Sequence, residues 1–194
     1  AEIGNNHNGN FELAKQLVDL AINAGADCVK FQMRNIKKLY KNNGQTNDDS
    51  ADLGAQYTLD LLNKFQLSND ELLSIFDYCK SKGTVPLCTP WDLDSLKVLE
   101  NYGMEAYKVA SADLTNTELL KALSATGKPL ICSTGMSTEV EIKQAVSFLN
   151  KHGAQFIMLH CNSTYPTPYR DVNLLYIKRL KEITGTLVGY SGHE

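Results

Sequence analysis

Short apolar runs recur along the chain, each followed by a polar turn, an amphipathic stretch and a glycine. The runs are AEIG (1–4), DCVKFQM (27–33), TVPLCT (84–89), AYKVAS (106–111), PLICST (129–134), FIMLHC (156–161) and TLVGYS (186–191). Near-continuous apolar runs of this length fit parallel strands covered by helices on their outer face. The helices between them carry start signals. Ser68 with Glu71, Thr115 with Glu118 and Thr138 with Glu141 each have capping-box spacing. Leu72, Leu73, Ile75, Phe76 and Cys79 then form one helical stripe, and Ile142, Ala145, Val146 and Leu149 another. Gly25, Gly83, Gly103, Gly127, Gly153 and Gly185 stand just before the next strand, where a helix end needs a positive φ.

Strand, helix and strand in repetition predict a parallel sheet made of right-handed crossovers. Seven strands and six helices in series predict the α/β class and a (β/α)8 TIM barrel that is incomplete, with seven of eight strands present. An open doubly wound sheet is disfavoured, because the first turn, NNHNGN, lacks a GxGxxG fingerprint. The expectation is one catalytic barrel domain over 1–194, truncated at both ends. Residues 34–67 break the rhythm: they are polar, rich in Asn, Asp and Lys, and far longer than a usual connection. In a barrel such a loop lies on the catalytic face, so a lid is expected there.

Composition narrows this little. Net charge is -3 over 194 residues, which predicts no general affinity for nucleic acid or for an anionic membrane surface. No apolar run is long enough to span a bilayer and no leader is visible, so a cytoplasmic enzyme is expected. Cys28, Cys79, Cys88, Cys132 and Cys161 follow no metal or disulfide spacing, which predicts buried, reduced thiols.

The candidate chemistry sits where the predicted strands end. Strand two ends Lys30-Phe31-Gln32, with Lys30 and Gln32 on one face by the period of two. Thr89 ends strand three; Lys108 lies inside strand four with Ser111 at its tip; Ser133 ends strand five. His160-Cys161-Asn162-Ser163 ends strand six, Ser191-Gly192-His193 ends strand seven, and Glu2 stands in strand one. A lysine in an apolar strand is costly without an anion. It either pairs with a barrel carboxylate, snorkels outward, or faces an anionic ligand. Two such lysines ringed by hydroxyls favour the ligand, and suggest a phosphorylated carboxylic acid. His193, on the face it shares with Ser191, reads as a metal ligand. His160 reads as a packing or orienting residue, His7 as a possible ligand contact in a turn, and His152 as a solvated helix terminus.

AEIGNNHNG, VKFQ, TPWD, AYKVASAD, STGMS, LHCNSTYPTP, DVNL and GYSGHE occur in this order and are similar to the motifs of the N-acetylneuraminate (sialic acid) synthase family along essentially the whole chain. Relatives in that family use acceptors for legionaminic and pseudaminic acids. The resemblance implies that Lys30, Thr89, Lys108, Ser111, Ser133 and Ser191 bind phosphoenolpyruvate. It implies that His193 is one of two histidines holding manganese or magnesium, the second being on a strand beyond this chain. Glu2 is implied as the carboxylate beside the metal, and Gln32, Asp113 and Tyr165 as sugar or supporting contacts. Catalytic roles fall on Glu2, Lys30, Lys108 and His193.

Two departures from the family pattern stand out. Many members read Ser-Asp-His where this chain has Ser191-Gly192-His193. Members also often have Thr-Asn or Thr-Ser after His-Cys, so either Asn162 or Ser163 here meets phosphate. The implied activity joins phosphoenolpyruvate to N-acetylmannosamine or a related N-acetyl amino sugar, with a small C-terminal antifreeze-like domain closing a partner's site in a homodimer. That domain is not in this chain. Other phosphoenolpyruvate-dependent 2-keto sugar acid synthases share the logic, and an inactive sugar-binding barrel is the rival from another class.

Overall fold

The structure, a computed structural model, describes residues 1–36 and 61–194. The chain divides into two compact units, Ala1–Val98 and Leu99–Glu194.

In the first unit, helix α1 (Phe11–Asn23) starts where Asn10 caps the Leu13 N–H. Strand β1 (Cys28–Met33) follows, then α2 (Asn69–Ser81) and β2 (Val85–Pro90), which pairs with β1 in parallel. The two faces of β1 differ. Val29, Phe31 and Met33 are buried, and Phe31 meets Phe76 of α2 edge-on at 6.0 Å. Cys28, Lys30 and Gln32 take the other face. The capping box expected from Ser68 and Glu71 is present. The expected first strand, AEIG, is only a parallel bridge between Glu2 and Lys30. Ile3 and Gly4 both donate to the Lys30 carbonyl, and the chain then turns at once, Asn6 donating back to Ile3. That turn leaves no length for a ladder. Helix α3 (Leu93–Tyr102) runs across the division between the units.

In the second unit, β3 (Tyr107–Val109), β4 (Leu130–Ser133), β5 (Phe156–Cys161) and β6 (Val188–Ser191) pair in parallel in chain order. Helices α4 (Thr117–Ala125), α5 (Glu139–Lys151) and α6 (Tyr176–Thr184) connect them. Thr138 and Glu141 form the expected capping box. The box expected from Thr115 and Glu118 does not form. Asn116 caps the Leu119 N–H instead, and the helix starts one residue later. Glu118 then lies one position too early to reach back to the cap, and Asn caps at least as well as Thr.

All six expected helix-end glycines have positive φ, from 66° to 85°. At Gly83 the reason is visible. Gly83 N–H donates to Lys80 and Thr84 N–H to Cys79, the paired bonds of a Schellman close. A Cβ on Gly83 would meet nothing within 4 Å, so the glycine serves backbone conformation and not space. Gly83→Ala is therefore expected to cost about 1 kcal/mol. In a melting curve that is a fall of roughly 2–4 °C for a chain of this size. Gly83→Asn should recover part of it, since Asn tolerates the left-handed region.

No helix among the described residues is long and apolar enough to cross a membrane. Most of the loop from which a lid is expected, residues 37–60, lies outside the described residues. All five cysteines are free. Burial pushes the thiols of Cys79 and Cys132 up to about 12, so both stay protonated at neutral pH.

Candidate active site

In the first unit, Lys30, Gln32 and Thr89 come together at the C-terminal ends of β1 and β2, where Gln32 and Thr89 are register partners. Glu2 is brought against them by its bridge to Lys30. The Lys30 ammonium forms an ion pair with the Glu2 carboxylate and donates to Thr89 Oγ1 at 3.4 Å. Lys30 thus has a carboxylate partner of its own, the pairing that a ligand-only reading of this lysine sets aside. The pair is unevenly exposed, 16% for the Lys30 side chain and 49% for that of Glu2. The carboxylate consequently keeps a wet side.

Arg34 is the residue that sequence reasoning missed. It is buried, it donates to the Gln32 side-chain oxygen, and its guanidinium lies 4.8 Å over the Trp91 ring. The surrounding backbone is clamped. Asn35 N–H donates to Asp92 at 2.7 Å, Gln66 donates to the Arg34 carbonyl at 2.9 Å, and Trp91 N–H donates to the Met33 carbonyl at 3.0 Å. With its oxygen held by Arg34, Gln32 offers its NH2 group as a donor. The signal was in the period of two, which puts Lys30, Gln32 and Arg34 on one face. Counting Arg34 as the first residue of the long loop hid it.

In the second unit, Lys108 is buried at 8% exposure, and its ammonium donates to the Val109 carbonyl at 2.8 Å and to Ser133 Oγ at 2.5 Å. Around it at the strand ends lie more hydroxyls. Ser111 Oγ accepts from Gly135 N–H at 3.1 Å and sits 3.1 Å from Cys161 Sγ. Ser163 Oγ packs against the same glycine. Ser191 is register partner to Cys161 at the ends of β6 and β5. Asp113 follows in a short 3-10 turn, Ser111–Asp113. Burial raises its carboxyl pKa, a hydrogen bond from Asn116 partly opposes that, and its Oδ2 is buried with no hydrogen-bond partner.

Asn162 and Ser163 separate here. Asn162 Oδ1 accepts from Thr164 N–H at 2.9 Å, its amide donates toward the Asp171 carbonyl at 3.4 Å, and its own carbonyl takes the His193 ring. Asn162 shapes the turn, whereas Ser163 stands with the hydroxyls beside Gly135.

His193 Nδ1 lies 2.6 Å from the Asn162 carbonyl. A carbonyl can only accept, so Nδ1 carries a proton, and in the neutral ring with that tautomer Nε2 keeps its lone pair. Nε2 lies 2.9 Å from the Tyr165 hydroxyl, and the Tyr165 ring stacks on the imidazole at 4.0 Å. A backbone carbonyl on one ring nitrogen is how metal-binding imidazoles are oriented. His193 alone, however, is one donor. No group of three or more His, Cys, Asp or Glu that could hold a metal occurs among the described residues. The donor set described is too small for a metal centre.

The other histidines are structural. His160 is buried, bonded to the Val172 carbonyl at 2.7 Å, and packed on Tyr176 and Tyr190. It faces α6 because it alternates with Cys161 along β5. His7 is buried and takes the Gly9 N–H at 3.1 Å, and burial lowers its pKa. It fixes the turn in which sequence reasoning allowed a ligand contact. His152 ends α5, half-buried, with Nδ1 on the Phe148 carbonyl at 2.8 Å.

The NeuB family model matches residues 17–194. The protein MJ1065 of Methanocaldococcus jannaschii is 41% identical over 194 residues, with 100% of this chain and 54% of that protein covered. The N,N'-diacetyllegionaminic acid synthase of Campylobacter jejuni is 35% identical over 205 residues, with 100% and 59% covered. The crystal structure of N-acetylneuraminic acid synthetase from Leptospira borgpetersenii, in complex with citrate, matches with a TM-score of 0.89 at 33% identity, covering 100% of this chain and 64% of that one. The chain thus spans little more than half the length of these curated relatives. Its fold class is the α/β barrel expected from the sequence, in incomplete form. Strand-end motifs, fold and family match agree: the chain belongs to the NeuB family.

Proposed function

We propose that the full-length protein condenses phosphoenolpyruvate with N-acetylmannosamine, or a related N-acetyl amino sugar, to give a nonulosonic acid and phosphate. The observation that carries this reading is the buried Lys108 ammonium held to Ser133 beside the Ser111 and Ser163 hydroxyls, all at strand ends. A cation and several hydroxyl donors in a partly desolvated place suit an anionic ligand. The names of the relatives and the citrate held by the Leptospira protein support it.

In this reading C3 of phosphoenolpyruvate attacks the sugar aldehyde carbon and a C–C bond forms. Water adds at C2, and the tetrahedral intermediate loses phosphate as the C–O bond breaks. Lys108, Ser133, Ser111 and Ser163 hold the anionic groups. In the first unit, Lys30 and Thr89 offer a cation and a hydroxyl of their own. Glu2, with one side wet, orients or deprotonates the water. Gln32 and Tyr165 contact the sugar, and Asp113 and Ser191 support the hydroxyl cluster. His193 would supply one ligand to a manganese or magnesium ion, which when bound would supply Lewis-acid chemistry at the aldehyde.

The test is phosphate release by the full-length protein from phosphoenolpyruvate, with N-acetylmannosamine and with a diacetamido sugar offered separately. Turnover should stop with a chelator and return with manganese. Release with neither sugar, across a range of divalent metals, would sink the reading. Undiminished turnover after exhaustive chelation would remove the metal from it.

A further inference from the structure

Gly135 does not have the left-handed backbone of the helix-end glycines. Its reason is space. A Cβ there would lie 2.6 Å from Cys161 Sγ, 2.8 Å from Ser163 Oγ and 3.0 Å from the Cys161 carbonyl oxygen. Contacts this short cannot be accommodated without moving the thiol, the hydroxyl or the strand end. The turn that carries Gly135 cannot retreat easily, because Thr134 is bonded to the Leu159 carbonyl through both its N–H, at 3.1 Å, and its hydroxyl, at 3.0 Å. The missing side chain lets the Gly135 amide reach Ser111 Oγ at 3.1 Å while Cys161 Sγ lies 3.1 Å from the same oxygen.

These two partners do different things to Ser111. The Gly135 N–H can only donate, so it occupies a lone pair of the hydroxyl oxygen and leaves the hydroxyl proton free to point elsewhere. The thiol, buried at 6% exposure, is a weak acceptor. It fixes where the oxygen sits without holding the proton strongly. An anion would take that proton at little cost. A serine held by a carboxylate or carbonyl would have its proton committed already.

We propose that Gly135 and Cys161 are positioning residues that preset Ser111 as a hydrogen-bond donor to the anionic substrate, the glycine by admitting its amide and the cysteine by walling the oxygen in. This rests on the reading that the Ser111 cluster binds phosphoenolpyruvate. It adds two residues to that cluster which need not touch the ligand themselves.

The experiment is calorimetric titration of the full-length protein with phosphoenolpyruvate alone, for wild type, Cys161→Ala, Cys161→Ser, Ser111→Ala and the Ser111→Ala/Cys161→Ala double variant, with a melting curve on each. If wild type does not bind phosphoenolpyruvate, the functional reading fails, and this inference with it. If wild type binds, Cys161→Ala should raise the dissociation constant roughly three- to ten-fold, the size of one neutral hydrogen bond. Cys161→Ser keeps the oxygen walled in but accepts the Ser111 proton more strongly than a thiol does, so it should also weaken binding, by no more than Cys161→Ala. The double variant should bind as Ser111→Ala does, since Cys161 has nothing left to position. Normal affinity in Cys161→Ala would overturn the inference, and so would a double variant in which the two effects add. Gly135→Ala should weaken binding more than Cys161→Ala. Should it fail to fold, the cycle between Ser111 and Cys161 decides alone.

Discussion

Lys108→Met is expected to raise the dissociation constant for phosphoenolpyruvate by about two decades, from a lost charge-assisted contact of about 3 kcal/mol. Methionine keeps the length of the aliphatic stem and fills the same channel in β3, so the change isolates the ammonium. Phosphoenolpyruvate is a polyanion at neutral pH, while the chain carries a net charge of -3. Affinity must therefore come from local positive charge. Lys108, at 8% exposure, is far enough from water for its field to be poorly screened. The melting temperature without ligand should fall little or rise. The variant loses bonds to the Val109 carbonyl and the Ser133 hydroxyl, but it also removes the cost of desolvating an ammonium. A purely structural lysine gives the opposite pattern: a large fall in melting temperature and near-normal affinity in what remains folded. Titration and a melting curve on one sample separate the two outcomes.

What could be read in the sequence follows from how local each cause is. A helix end closed by a left-handed residue involves only a few consecutive residues and forces one backbone conformation, so Gly83 and its five counterparts were legible. A capping box needs only two residues at fixed spacing, and two of three were placed correctly. The third failed because Asn116 competes with Thr115 for the same job at the next position. Six of the seven expected strands were legible because an apolar run has a length and a face, whereas AEIG is cut to a single bridge by the turn that follows it. Side-chain pairing across the fold was not. Glu2 and Lys30 are 28 residues apart in sequence, and nothing in either run says that the bridge between them brings carboxylate to ammonium. The same holds for Asn162 and Ser163, adjacent residues that differ in which turn atoms claim them.

Glu2→Gln gives the other large effect, and it tests the least expected feature of the site. If Glu2 handles the water that attacks C2, the turnover number should fall by roughly two to four decades, the usual span for a lost general base. Phosphoenolpyruvate should meanwhile bind as well as before or tighter. The substitution removes a negative charge beside the Lys30 ammonium, which is then free to meet the anion with its full field. A collapse in turnover with undiminished affinity is not what a simple structural ion pair between Glu2 and Lys30 produces. For a structural pair the prediction is a loss of stability with turnover nearly kept. That loss should itself be small, because the Glu2 side chain is 49% exposed and half-exposed ion pairs contribute little. Single-turnover rates, a phosphoenolpyruvate titration and a melting curve on the full-length Glu2→Gln protein give the three readouts. Turnover within about five-fold of wild type, far short of what losing a general base costs, would remove Glu2 from the chemistry and leave it as the partner that holds Lys30 in place.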